Sequence, residues 1–116
     1  MAGVNRVDFD ELEWTVHQQV VTRDGMPFTG EAIERDANGN ILAIITYRDG
    51  WRDGPEIHYY PNGQLEYEGL WRWPERGVGI HRRWYPNGQL EAEIFYNDKG
   101  SLVDVHRYAP DGTRID

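Results

Sequence analysis

The sequence predicts an all-β fold, a single curled antiparallel meander of repeated β-hairpins with little or no helix. Three observations lead to this prediction. Turn signals return at a nearly constant interval, two copies of the repeat share seven residues in register, and apolar residues alternate along the strands that leave the turns.

The turn signals are four dipeptides spaced by 24, 25 and 24 residues: Asn38-Gly39, Asn62-Gly63, Asn87-Gly88 and Asp111-Gly112. Where Pro precedes the dipeptide, it presets the first corner of the turn. Asn tolerates the second corner, and Gly accepts the positive φ that follows. A second set of glycines, Gly30, Gly54 and Gly79, precedes the first three turns at the same interval. Each unit is therefore predicted to be a strand, a tight turn, a second strand and a looser connection.

Residues 60–66 and 85–91 both read Tyr-Pro-Asn-Gly-Gln-Leu-Glu. A tight turn in this run places Tyr85 opposite Gln89 and predicts a ladder of cross-strand pairs, Trp84–Leu90, Arg83–Glu91, Arg82–Ala92 and His81–Glu93. The same scheme in the preceding copy places Glu56 opposite Glu68 and His58 opposite Glu66. Like charges directly opposite each other are unfavourable, so the preceding copy is predicted to hold an uncompensated acidic cluster.

Apolar residues on the outgoing strands recur with a period of two. The matching sets are Ile41, Ala43, Ile45, Tyr47; Leu65, Tyr67, Gly69, Trp71; and Leu90, Ala92, Ile94, Tyr96. This pattern is typical of half-buried antiparallel strands, and it predicts eight or nine short strands. The segment from Phe9 to Val21 suits either a helix or a strand.

The length predicts one domain, residues 1–116. Within it we expect an N-terminal strand segment at 1–29, hairpin repeats at 30–53, 54–78 and 79–101, and a partial C-terminal capping repeat at 102–116. Each repeat buries its apolar face only against its neighbours.

The formal net charge of −8 disfavours direct binding to nucleic acid or to an anionic membrane and favours a basic protein partner. The chain has no Cys, so no disulfide or thiolate metal site is expected. The first residues lack an apolar core of the kind that signal peptides carry, which predicts a cytoplasmic protein.

The shared run at residues 60–66 and 85–91, with the segment Asp-Gly-Met-Pro-Phe-Thr-Gly at residues 24–30, resembles the MORN-variant repeat of the YwqK-type antitoxin proteins. The resemblance covers about residues 23–116. It implies an antitoxin or immunity protein that binds and silences a toxin, with no catalytic motif to transfer. The first repeat has Asp36-Ala37 in place of Tyr-Pro, and the last has Ala109-Pro110, so the middle two repeats are expected to form the working surface.

The candidate partner-binding residues combine the acidic cluster with neighbouring tryptophans, since Trp beside charge is typical of interface hot spots. They are Asp53, Glu56, Glu66, Glu68, Trp51, Trp71 and Trp73. The alternative for the tryptophans is that they cover a thin core. Replacing Glu56, Glu66 and Glu68 by Gln is predicted to leave thermal melting nearly unchanged and to weaken partner capture.

No catalytic, metal or cofactor site is predicted. The carboxylates at 66, 68, 91 and 93 could act as a general acid and base, but alternating Glu on a solvated strand face is the simpler explanation. The four histidines, at 17, 58, 81 and 106, form no matched column with ligand spacing. No phosphate-binding glycine motif is present.

Two functional hypotheses follow. The first is an antitoxin or immunity-type protein that neutralises a cognate toxin through an acidic, Trp-rich sheet face; a nuclease toxin would be basic and would suit an acidic inhibitor. The second is a MORN-like scaffold that joins other proteins without toxin biology. The oligomeric state is left open.

Overall fold

The computed structural model describes residues 5–15 and 20–116. Its elements are β1 (Arg6–Asp8), a 3₁₀ helix (Phe9–Glu11), β2 (Glu13–Thr15), β3 (Val20–Arg23), β4 (Met26–Pro27), β5 (Gly30–Arg35), β6 (Ile41–Arg48), β7 (Trp51–Tyr59), β8 (Leu65–Arg72), β9 (Arg76–Trp84), β10 (Leu90–Tyr96) and β11 (Leu102–Arg107). Within the described ranges, no helix has the length and apolar character needed to cross a membrane.

The strands from β5 to β11 form an antiparallel meander in which every strand pairs with its neighbours in sequence. The predicted all-β meander of hairpins is therefore confirmed. β1 adds one strand to its edge by pairing in parallel with β5, which makes an eight-stranded sheet.

A second sheet of three strands, in the order β2–β3–β4, lies beside the meander. The prediction of one single sheet was thus incomplete. A lone sheet leaves the apolar residues of one face in water, and a second layer is the usual way to bury them. Of the segment from Phe9 to Val21, the described part forms one 3₁₀ turn and strands; its residues 16–19 lie outside the described ranges.

All four predicted corners are tight turns. In each, the glycine amide donates to the carbonyl three residues earlier, at 2.9–3.0 Å, and the glycine φ lies between 85° and 91°. In the third corner the Asn87 side chain also accepts a hydrogen bond from the Gln89 amide (2.9 Å). A further turn from Asn97 to Gly100 joins β10 to β11.

The predicted register holds for the first pair of each hairpin and then shifts. Trp84 pairs with Leu90, but Arg83 pairs with Ala92, so Glu91 is the extra residue of a β-bulge. The hairpins β5–β6 and β7–β8 carry a bulge at the same point. The predicted pairs Arg83–Glu91, Arg82–Ala92, His81–Glu93, Glu56–Glu68 and His58–Glu66 are therefore wrong. The observed pairs are Arg83–Ala92, Arg82–Glu93, His81–Ile94, Glu56–Gly69 and His58–Tyr67.

The meander has two unlike faces. The aromatic face carries Ala32, Ala43, Ile45, Tyr47, Tyr67, Trp71, His81, Ile94 and Tyr96. The opposite face, called the charged face, carries Glu68, Arg82 and Glu93 in one row with Ile33, Ile44 and Ile57. The main core lies at one end of the aromatic face, where Val21 and Phe28 of the N-terminal segment pack against Ala32 and Tyr47. Further along this face Tyr67, Trp71, Ile94 and Tyr96 are only half-buried.

Candidate functional site

One row of side chains crosses the aromatic face from β5 to β11, and its middle is polar. In strand order the row is Ala32, Ile45, Glu56, Gly69, His81, Ile94 and Val105. Glu56 and His81 are only 8% and 5% exposed. Burying ionisable groups is costly unless they are paired, and a polar interruption of an apolar row therefore marks this point of the face as a candidate site.

Glu56 is held by Arg52 and His58. Its carboxylate lies 3.2 Å from Arg52 Nη1 and 2.6 Å from His58 Nε2. Burial is the largest single influence and acts to raise the pKa of Glu56, but His58 and Arg52 together lower it below its usual value. The hydrogen bond to Glu56 raises the pKa of His58 in turn. The pair is thus stabilised in its charged form.

Arg52 connects this pair to an aromatic ring. Its Nε lies 2.8 Å from a Glu75 carboxylate oxygen, and its guanidinium carbon lies 3.9 Å from the centre of the Trp71 ring. A guanidinium over an indole face is a favourable cation–π contact. Two carboxylates and the ring therefore fix the position of the Arg52 side chain.

His81 is the other polar member of the row. The Tyr67 hydroxyl lies 2.7 Å from Nδ1, and Nε2 lies 3.0 Å from the Leu70 carbonyl oxygen and 3.4 Å from the Leu70 amide nitrogen. The shorter Nε2 contact is to an oxygen that can only accept, so we assign Nε2 as the donor and Nδ1 as the acceptor of a neutral ring. Desolvation lowers the pKa of His81, in agreement with a neutral ring. A Cβ at Gly69 would collide with the Tyr67 hydroxyl oxygen and with Nδ1, so the absence of a side chain there makes room for this hydrogen bond.

Aromatic rings surround His81 on this face. The ring centres of Trp71 and Tyr96 lie 5.6 Å and 4.9 Å from the His81 ring in edge-to-face arrangements. Trp71 Nε1 is buried and has no hydrogen-bond partner among the described residues. We call Arg52, Tyr67, Trp71, His81 and Tyr96 the aromatic cluster. Amphipathic rings and a stacked Arg are the side chains that protein interfaces favour.

The seven predicted partner-binding residues do not share one face. Glu56 and Trp71 lie on the aromatic face, whereas Glu68 lies on the charged face, since residues adjacent in a strand point to opposite sides. Glu66 is the extra residue of the bulge in β7–β8. Trp51 begins β7 beside the turn from β6, and Trp73 follows β8 and is 65% exposed. A role for these residues in partner binding stays a prediction.

The prediction of an uncompensated acidic cluster is wrong for three of its members. Glu56 pairs with Arg52, and Glu68 lies 3.3 Å from Arg82. Asp53 accepts a hydrogen bond from the Trp73 amide (3.1 Å) and lies 3.9 Å from Arg48. The bulge caused the error, because one extra residue moves Glu56 from opposite Glu68 to opposite Gly69.

The sequence analysis did not predict the grouping of Arg52, Tyr67, His81 and Tyr96. One signal was present: His81 stands where Glu56 stands in the preceding repeat, and Ala32 occupies that position in the first. Two polar residues at a position that is apolar in another copy are a pattern that the repeat alone could have revealed. Among residues 5–15 and 20–116, no group of three or more His, Cys, Asp or Glu could hold a metal ion.

The repeats match a known family. The profile described as MORN repeat variant matches residues 28–49, 52–72 and 78–98, together more than half of the chain. Each match spans one hairpin of the meander, β5–β6, β7–β8 and β9–β10. No curated protein and no solved structure matches the chain. The chain therefore belongs to the MORN repeat variant family.

Proposed function

We propose that this protein is an antitoxin or immunity-type protein, which binds a cognate toxin through the aromatic face and neutralises it. Repeats of this family suggest a protein-interaction scaffold. The narrower assignment to toxin binding is supported by the resemblance of residues 23–116 to the antitoxin proteins.

The observation that carries the proposal is that two buried polar residues, Glu56 and His81, interrupt the apolar row on the aromatic face. Packing alone would favour apolar residues at positions 56 and 81, as at Ala32 in the first repeat. Instead, Glu56 and His81 position Arg52, Tyr67 and Trp71 on a part of the sheet that is only half-buried. A preorganised patch of aromatic rings around a fixed cation suits protein binding, because little side-chain freedom remains to be lost.

The charge of the chain favours a basic toxin, such as a nuclease. At a net charge of −8, association with a basic surface is accelerated at low ionic strength and slowed by salt. In this proposal the protein acts in the cytoplasm by binding alone, without a cofactor or a reaction of its own.

Co-expression tests the proposal. A toxic protein encoded beside this one should be tolerated when both are made, and the two should be captured together. Trp71→Ala and Tyr96→Ala should weaken capture at least tenfold, whereas Ile80→Ala, at an exposed residue of the opposite face, should leave it unchanged. Thermal melting of each variant shows whether it is folded. Full rescue and capture by both folded variants would exclude the aromatic face as the toxin-binding surface.

The second candidate is a scaffold that uses the same face to join other cellular proteins, and the family match favours it directly. Rescue of cells from a toxin distinguishes the antitoxin from the scaffold. A scaffold is captured with partners that depend on Trp71 and Tyr96, but it rescues no cell from a toxin.

A further inference from the structure

A pocket lies between the N-terminal segment and the aromatic face, and most of its lining residues lie outside the aromatic cluster. It encloses about 350 Å³, in the range of pockets that hold a small ligand or a few side-chain groups. Its walls are Phe9, Leu12 and Trp14 on one side and Ile45 and Tyr47 on the other. We call it the N-terminal pocket.

The floor of the pocket is buried and hydrogen-bonded. Val21 and Tyr47 are each 7% exposed and belong to the main core. The Val21 amide donates to the Gly50 carbonyl (3.0 Å), and the Gly50 amide donates to the Phe28 carbonyl (2.8 Å). These bonds tie the small sheet to the meander, and the pocket is open in the protein without a partner.

The rim is apolar and exposed. Phe9 is 41% and Trp14 is 62% exposed, although both are large apolar side chains that line the pocket. Large aromatic side chains around a preformed cavity are typical of the anchor sites in protein interfaces. An apolar side chain of a partner could enter the pocket and cover both rings.

The charges around the pocket are negative. Glu13 and Glu75 line it, and Arg52, its cationic member, is already bound to the carboxylates of Glu56 and Glu75. Glu13 forms no ion pair with any other described residue. An arriving Lys or Arg would gain from these carboxylates, whereas an anionic ligand such as a fatty acid would be repelled.

We infer that the N-terminal pocket binds an apolar side chain of a partner protein, within a segment where Lys or Arg flanks it on both sides. The inference rests on the proposed function and gives the chemistry of the partner. The pocket shares Arg52 with the aromatic cluster, so one bound segment would continue from the pocket onto that face.

Peptide binding tests the inference with three capped pentapeptides, Lys-Lys-Leu-Lys-Lys, Lys-Lys-Ser-Lys-Lys and Glu-Glu-Leu-Glu-Glu. At low ionic strength the first should shift the NMR signals of the Trp14 indole and of the Val21 and Gly50 amides. The serine and glutamate peptides should each bind at least tenfold more weakly. Equal binding of the leucine and serine lysine peptides, or shifts confined to other residues, would overturn the inference.

Variants of the full chain complete the test. Trp14→Ser and Glu13→Lys should each weaken binding of the leucine peptide at least threefold, and the melting temperature of the protein should stay unchanged. Leu102→Ser is the control, because Leu102 is as exposed as Trp14 but lies in β11, at the edge of the meander farthest from the pocket. Unchanged affinity in both pocket variants would also overturn the inference. If capture of the toxin depends on Trp71 while the leucine peptide fails to bind, the proposed function stands and only the pocket assignment is lost.

Discussion

Glu56 and His81 occupy equivalent positions of consecutive repeats, and both are buried. The charged form is favoured for Glu56 and the neutral form for His81. Burial acts to raise the pKa of Glu56, but His58 and Arg52 lower it below its usual value. Burial lowers the pKa of His81, whose ring nitrogens bond to Tyr67 and the Leu70 carbonyl. Both arrangements satisfy the polar atoms that burial would otherwise leave without partners. The residues around them are thereby fixed in position before any partner arrives.

Glu56→Gln is expected to lower the free energy of unfolding by about 1–3 kcal/mol, because it removes a buried charge from beside Arg52 and His58. Glu68→Gln is the control: its partly exposed pair with Arg82 should change stability by less than about 1 kcal/mol. Urea denaturation of both variants measures the difference. The buried pair thus predicts a larger loss than the sequence alone, from which melting is expected to stay nearly unchanged. A change below about 1 kcal/mol in both variants would favour the sequence-based expectation.

The stabilisation from His58 is expected to depend on pH. Because Glu56 raises the pKa of His58 above 6.5, this stabilisation is fully present below that value and is lost as pH rises through the raised pKa. The loss of unfolding free energy caused by His58→Gln should therefore be larger at about pH 5.5 than at about pH 9. In a Glu56→Gln background the same substitution should have nearly the same effect at both pH values. A pH-independent difference in the unaltered background would contradict the assignment.

At the scale of single elements, the bulges decide which residues meet. Each hairpin turns where its Gly requires a positive φ, and one residue of the outgoing strand is then left without a partner. The shift puts Gly69 opposite Glu56 and Arg82 between Glu68 and Glu93. The position of the bulge therefore decides which residues of a hairpin lie on the aromatic face and which lie on the charged face. The turn alone does not specify that position.

Gly69→Ala is expected to lower the free energy of unfolding by about 1–3 kcal/mol, because its Cβ would collide with the Tyr67 hydroxyl and the His81 ring. The His81 pKa should rise toward its usual value as the ring moves from its buried position. Denaturation and NMR titration of the His81 ring measure the two effects.

Gly63→Ala serves as the comparison for this element. Gly63 has a φ of 88°, and no atom lies within 4 Å of the place that a Cβ would occupy, so the cost is backbone strain of about 1 kcal/mol. The His81 titration should not change in that variant. An unaltered His81 titration in Gly69→Ala would contradict the steric explanation.

At the scale of the whole molecule, the N-terminal segment covers only one end of the meander. The second sheet packs against β5 and β6, and the connection depends on the close approach of Gly50 to Val20 and Val21. In repeat proteins each unit is stabilised mainly by its neighbours, so a local disturbance should stay near its origin.

Gly50→Ala is expected to loosen the N-terminal sheet alone. Its Cβ would lie 2.5 Å from Val20 Cβ and 2.8 Å from the Val21 carbonyl, which forces the small sheet away from the turn between β6 and β7. Hydrogen exchange should accelerate at the Val21 and Phe28 amides and stay slow in β10. Gly88→Ala, also at a positive φ, should leave the Val21 amide protected. Acceleration throughout the chain would instead indicate one cooperative unit.

Local chemistry was enough to predict the four corners and the alternating strands. Asn-Gly and Asp-Gly favour turns through bonds between residues three apart, and a period of two follows from the geometry of a strand. The order of the hairpins followed from the constant interval between turns. These features depend on neighbours in the chain, which the amino-acid sequence displays directly.

The composition of the candidate site depended on contacts between distant residues. The bulge moved Glu56 from opposite Glu68 to opposite Gly69, and the pairing of β9 with β8 and β10 placed His81 among Tyr67, Trp71 and Tyr96. The second sheet and the pocket beneath it arise because the apolar face of the first repeat must be covered by another segment. A shift of one residue reverses the face on which a side chain lies, and only the packed sheet specifies that shift.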